Sequence, residues 1–248
     1  NVAQFHRGSI NAKTDRANAA TRRLQALAGI EENDVVLLAG STQAPEEQIA
    51  LNVFQQLSPQ HPNLRLLITP RHPERFDEVA ALLDKRGVVW QRRSKLETTG
   101  RDPQARVLLI DVVGELGAWW GTSRIAYVGG SLGRRGGQNM IEPAAYGSAI
   151  SFGPNTWNFK DVVQLLLGKQ AAIVVKNEEE LKSFVARCLT EPAFADQLGQ
   201  RAIQLVREQQ GATDRTVALL ESLAANSIVP TLPAHPTWKK SESQRRAG

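Results

Sequence analysis

A single cysteine, Cys188, leaves no partner for an internal disulfide. It falls on the apolar face of a predicted helix, where a buried structural thiol is favoured over a reactive one. Histidine is nearly as scarce. His6, His61, His72 and His235 are scattered, so no clustered zinc site is expected. No apolar run approaches the length that crosses a bilayer, and the first residues do not read as a signal peptide. The only methionine is Met140, so the chain is expected to be a processed product or a piece of something longer. No repeat of a length that would build a solenoid is visible. The excess of 30 basic over 25 acidic residues gives +5, which favours anionic partners but is too small to single out nucleic acid.

What is present is an ordinary soluble globular composition, 42% hydrophobic and 22% charged, with room in 248 residues for one large domain or two small ones. Residues 1–33 are polar, with one helical patch at 21–28, and read as a lead-in. Short apolar runs at 35–39, 64–69, 88–90, 107–110, 125–128, 149–152 and 171–175 predict seven strands. Helical patterns stand between them: Ile49, Ala50, Val53, Phe54 and Leu57; Phe76, Val79, Ala80 and Leu83; a short piece with Trp119 and Trp120, read as core; then Phe159, Val162, Val163 and Leu166. Asn177 and Glu180 make a capping pair before Leu181, Phe184 and Val185. Two further helices are predicted near 192–208 and 213–224, and residues 92–106 read as loop. A packed domain is therefore expected over 34–225, followed by a mobile basic tail over 226–248.

Seven strands alternating with helices predict an α/β fold, a doubly wound, Rossmann-like parallel sheet. Ligands of such sheets lie beyond the carboxyl ends of the strands. Ser41, Arg71, Asp111 and Ser131 each follow a strand, so all four are expected at one crevice. Ser41 and Thr42 either hold a phosphate or merely cap the next helix. Arg71-His72 is either an exposed turn or an anion contact, and its place at the crevice edge leans towards the second.

The densest signal lies at 125–145. Five of nine residues after the strand Ile125–Val128 are glycine: Gly129, Gly130, Gly133, Gly136 and Gly137. Asn139 and Glu142, three apart, match a helix-entry capping pattern, and Pro143 fits a first turn. A strand, a glycine loop and a helix start leave backbone N–H groups facing a groove, where an anion, most often a phosphate, is held. Arg134 and Arg135 add charge. From spacing alone Glu142 is a capping carboxylate. The patterns G-x-G-x-x-G and G-x-x-x-x-G-K-[ST] are both absent. Gly129-Gly130-Ser131-Leu132-Gly133 does satisfy G-x-S-x-G, and Asp196 or Asp214 with His235 would complete the order of an α/β-hydrolase. Glycines after Ser131 break the helix that such an elbow needs, so a serine esterase stands as the alternative reading.

The stretch GGSLGRRGGQNMIEPAAYG followed by GPNTWNFKD resembles the C-terminal half of 3-deoxy-D-manno-octulosonic acid (Kdo) transferases. Ala39-Gly40-Ser41-Thr42, Pro70-Arg71-His72-Pro73-Glu74-Arg75-Phe76 and Asp111-Val112-Val113-Gly114-Glu115-Leu116 resemble further blocks of that family, in the same order, over about residues 35–190. The resemblance implies the C-terminal half of a GT-B glycosyltransferase, a donor domain that binds CMP-Kdo facing an N-terminal domain that binds a lipid A precursor. It implies a reaction without a metal or cofactor, at the cytoplasmic face of the inner membrane with only peripheral membrane contact, in lipopolysaccharide biosynthesis. Glu142 would hold the ribose hydroxyls, and Arg71 with His72 the phosphate or cytidine side. Ser41, Thr42, Gly129, Gly130, Ser131, Gly136 and Gly137 would line the phosphate, with Asn139 at the helix entrance. Gly153, Pro154, Asn158 and Lys160 would shape the sugar end. Gln138 stands where the family often has His. The family's general base is a glutamate of the N-terminal half, and nothing in this chain matches that region, so transfer by this chain alone is not expected.

Overall fold

A computed structural model describes residues 15–226. Seven strands form one sheet in the order β3-β4-β2-β1-β5-β6-β7, every neighbouring pair parallel. They are β1 Val35–Thr42, β2 Leu64–Pro70, β3 Trp90–Arg92, β4 Val107–Leu109, β5 Ile125–Val128, β6 Ala149–Phe152 and β7 Ala172–Val174. Helices fill the crossovers: α1 Ala19–Ala28, α2 Glu46–Leu57, α3 Phe76–Lys85, α4 Leu96–Thr99, α5 Leu116–Trp119, α6 Ile141–Ala145, α7 Lys160–Gly168, α8 Glu178–Thr190 and α9 Pro192–Asn226.

The alternation of side chains along each strand decides the layering. Leu37 and Ala39 point to one face with Leu66, Ile68, Ile125 and Tyr127, covered by α2, α3 and α8. Val36 and Leu38 point to the other with Leu67, Ala126, Val128 and Phe152, covered by the α5–α7 side, where Trp119 and Trp120 are fully buried. Both faces being covered, the central strands are mostly apolar, as a parallel sheet requires.

All seven expected strands are present, with shifts at their ends. β3 starts two residues late, at Trp90, where a half-buried edge strand gives a weak signal. Within 92–106, expected as loop, lie a 3-10 turn and α4, pinned because buried Arg93 pairs with Glu115 at 2.6 Å. Part of the expected lead-in packs on the domain. Leu24 of α1 is buried, and the Arg16 guanidinium donates to the carbonyls of Gly121, Ser123 and Tyr146. The two last helices predicted are one element, α9. The chain divides into a compact unit ending at Thr213 and a second from Asp214. Residues 1–14 and the expected tail past Asn226 lie outside the described residues.

Sheet order reverses at β1. The chain moves outward from β1 to β2 on one side and returns to β5 on the other. The loops after β1 and β5 therefore part at a switch point, where open α/β sheets place their ligands.

Candidate functional site at the switch point

The loops after β1 and β5 are joined before any ligand arrives. Glu46, the first residue of α2, is 1% exposed. Its carboxylate accepts the backbone N–H of Gly130 at 2.7 Å, of Ser131 at 2.9 Å and of Leu132 at 3.0 Å. It also accepts the Gln43 N–H and the Tyr127 hydroxyl, both at 2.9 Å. Burial and the Glu46 charge push the Tyr127 phenol well above its ordinary pKa, so it stays a neutral donor. Consecutive N–H groups on a turn make an anion-binding concavity; here the anion belongs to the chain. Gly129 is required by the same closeness, since a Cβ there would stand 2.5 Å from Thr42 Cα and 2.7 Å from Ser41 O.

This corrects the expectation that Gly129, Gly130 and Ser131 offer their backbone to a phosphate, because the amides of Gly130 and Ser131 already donate to Glu46. The Ser131 hydroxyl is fully buried, donating to Val128 O and accepting the Gly153 N–H, each at 2.7 Å. It is spent in the frame and cannot act as a nucleophile. The chain after it runs as an irregular loop, Asp196 pairs with Arg124 at 2.8 Å, and His235 lies outside the described residues. The esterase alternative finds no support. Gly153 is likewise a close-packing position, where a Cβ would stand 2.3 Å from Ser131 O.

The free part of the loop lies further on. Gly137 N–H closes it by donating to Gly130 O at 2.8 Å, whereas the N–H groups of residues 133–136 and 138–140 donate to no described residue. Gly136 and Gly137 carry φ of 91° and 85°, which favour glycine, and Trp157 and Asn158 lie against Gly136. Asn158 ties this half in place, its side-chain amide donating to Arg135 O at 2.8 Å and its own N–H to Gly136 O at 3.1 Å. Arg134, Arg135 and Lys160 are exposed around it.

The expected capping pair takes a different form. Asn139 Oδ1 accepts the Ile141 N–H at 3.0 Å, and its amide donates to Glu142 Oε1 at 3.2 Å. Asn139 thus closes a turn ahead of α6, whose cap position is Met140 with no side-chain bond, and also aims Glu142. The Glu142 carboxyl does not cap. Burial raises its pKa, while hydrogen bonds from Asn139 and Trp120 and the charge of Arg71 pull the other way. Arg71, directly after β2, is exposed; its backbone N–H donates to Thr42 O at 3.0 Å, while its guanidinium forms no ion pair or hydrogen bond with a described residue. His72 is half-buried, with Nδ1 3.8 Å from Glu74. Arg71 and Glu142 are thus close enough for the charge of one to act on the other.

Neither Ser41 nor Thr42 caps α2. Its cap position is Pro45, with no side-chain hydrogen bond. Thr42 is buried, its hydroxyl donating to Thr69 O at 3.4 Å, and Ser41 sits in left-handed backbone at φ 54°. Asp111, expected at the same edge, accepts the N–H and hydroxyl of Ser94 at 2.8 and 2.7 Å. Among the described residues no group of three His, Cys, Asp or Glu side chains is placed to hold a metal ion.

Sequence reasoning missed Glu46 and Tyr127. A signal existed: residues 46, 50, 53 and 57 share one helical stripe, so Glu46 continues an apolar face and must be buried with partners.

No protein-family model matches the chain. The 3-deoxy-D-manno-octulosonic acid transferase of Haemophilus influenzae is 34% identical over 223 residues, 89% of this chain and 52% of that protein. The enzyme of the same name from Bordetella pertussis is 33% identical over 216 residues, 86% of this chain and 50% of its own length. The chain therefore spans about half the length of the curated relatives it matches. Among solved structures, WaaG, a glycosyltransferase involved in lipopolysaccharide biosynthesis, shares the fold alone, with a TM-score of 0.55 at 12% identity over 80% of this chain and 50% of WaaG. The C-terminal CMP-Kdo binding domain of WaaA from Acinetobacter baumannii is 30% identical, with a TM-score of 0.69, over 75% of this chain and 95% of that domain. Such identity across almost the whole of that domain means that the chain belongs to the Kdo transferase family, as a GT-B C-terminal domain.

Proposed function

We propose that the chain binds CMP-Kdo, and CMP after reaction, in the crevice at the carboxyl ends of β1, β2 and β5, as the donor-binding part of a Kdo transferase. The observation that carries this reading is that an exposed Arg71 with an unpaired guanidinium acts electrostatically on the half-buried Glu142, which follows a loop whose N–H groups at residues 133–136 and 138–140 have no partner among the described residues. The similarity to the CMP-Kdo binding domain of WaaA from Acinetobacter baumannii supports it. In this reading Glu142 accepts the ribose hydroxyls and Arg71 with His72 faces the phosphate or cytidine side. Gly136, Gly137 and Asn139 border the phosphate, and Gly153, Asn158 and Lys160 shape the sugar end.

The chemistry asked of these groups is that of a leaving nucleotide. An acceptor hydroxyl attacks the anomeric carbon, the bond from that carbon to the phosphate oxygen breaks, and CMP departs with the electron pair. Backbone dipoles and cations fixed beforehand stabilise that departing charge without reorganising, and the reading calls for no metal. The acceptor's proton goes to a base within hydrogen-bond reach. Asp111 and Glu115 are bound to Ser94 and Arg93, and Glu142 is assigned to ribose, so the base is expected outside this chain. A lipid A precursor as acceptor, met at the cytoplasmic face of the inner membrane, completes the proposal; no helix among the described residues is long and apolar enough to cross a membrane.

The test is CMP binding by Glu142→Ala. Loss of binding with an unchanged circular dichroism spectrum is the expected result. Retained affinity would return Glu142 to a structural role and remove the ribose contact.

A further inference from the structure

We infer that Glu46 is a positioning residue, a built-in anion that fills the first half of the glycine loop and thereby directs the donor's phosphate to the second half. This rests on the donor-site reading above. Backbone N–H groups from Gly130, Ser131 and Leu132 converge on one point, and a carboxylate already stands there. Two anions at one concavity repel, so a ligand phosphate is excluded from it while Glu46 is in place. The amides without a partner among the described residues are those of residues 133–136 and 138–140.

The geometry also shows why a carboxylate is needed and not any polar group. Oε1 accepts from Tyr127, Ser131 and Leu132, and Oε2 accepts from Gln43 and Gly130. All five partners donate and none accepts from Glu46. A side-chain amide of the same shape would turn its NH2 towards at least two N–H groups. Gln43 lies after β1 and the other backbone donors after β5, so the carboxylate also fixes the spacing of the two loops that flank the crevice. The Gly137 N–H to Gly130 O bond carries that constraint to the free half of the loop.

The experiment compares the affinity of Glu46→Gln and the unaltered chain for CMP and for cytidine, which lacks the phosphate. The variant should lose about tenfold or more for CMP, the scale expected when charge-assisted hydrogen bonds are broken, and change less than about twofold for cytidine. A loosened fold would weaken both ligands alike. If the amide is not accommodated, Glu46→Ala titrated with sodium formate replaces it, the added carboxylate refilling the concavity and restoring CMP binding. Unchanged CMP affinity in a folded Glu46→Gln, an equal loss for cytidine, or no effect of formate would overturn the inference and leave the donor site standing. Failure of the unaltered chain to bind CMP would instead remove the reading beneath it.

Discussion

Glu46 and Gly130 are 84 residues apart in the chain, and the carboxylate of one accepts the N–H of the other at 2.7 Å. That bond crosses the switch point of the sheet. It makes the floor of the crevice part of the fold and leaves only the outer amides to a ligand. Stability and binding should therefore separate along the loop, the residues near 129–132 governing the first and those from 133 onward the second.

The glycines offer a direct comparison. Gly129→Ala would bring a Cβ against the backbone of Thr42 and Ser41, while Gly133 has nothing within 4 Å. Backbone cannot yield as a flexible side chain can, so Gly129→Ala should cost about 2–3 kcal/mol. Gly133→Ala should stay within about 0.5 kcal/mol. Urea unfolding of both variants measures the difference, and equal costs would mean that the loops are not held together.

Glu142 should give stability and binding opposite pH slopes. Burial raises its folded pKa above the unfolded value. Its contribution is thus fully present below the ordinary carboxylate range of about 4 and is lost as pH rises through the folded value, because the folded state keeps a proton that the unfolded state has released. Glu142→Gln should remove that decline. CMP affinity should rise over the same window if the ionised carboxylate accepts ribose hydroxyls. Denaturation midpoints and titrations across this range test both slopes.

Cys188, expected from its helix face to be buried, is 2% exposed, and burial pushes its thiol up to about 12. A disulfide exchange reagent at neutral pH should leave it untouched in the folded chain and modify it fully in urea. Rapid labelling of the native protein would show that α8 opens readily.

Much of the fold could be read from the sequence because a parallel sheet covered on both faces writes its strands as unbroken apolar runs. The runs at 64–69 and 125–128 needed no partner to be recognised. The half-buried β3 and the anchored segment after it were less legible, since Arg93 finds Glu115 only after folding. At the site, strand ends announced Arg71 and glycine spacing announced the loop. Which amides were free could not be read, because Glu46 reaches them across more than eighty residues. A carboxylate in the first turn of a helix ordinarily reads as a dipole partner, and only its register with Ala50, Val53 and Leu57 marked it as buried.

The central claim is that this crevice takes a cytidine nucleotide. Titrating the chain with CMP, AMP and GMP under one buffer, followed by calorimetry, tests it most directly. The account predicts saturable binding of CMP at one site, with the purine nucleotides at least about tenfold weaker, a gap of about 1.4 kcal/mol. Equal affinity for all three would reduce the crevice to a generic phosphate site, and no binding of CMP would contradict the account.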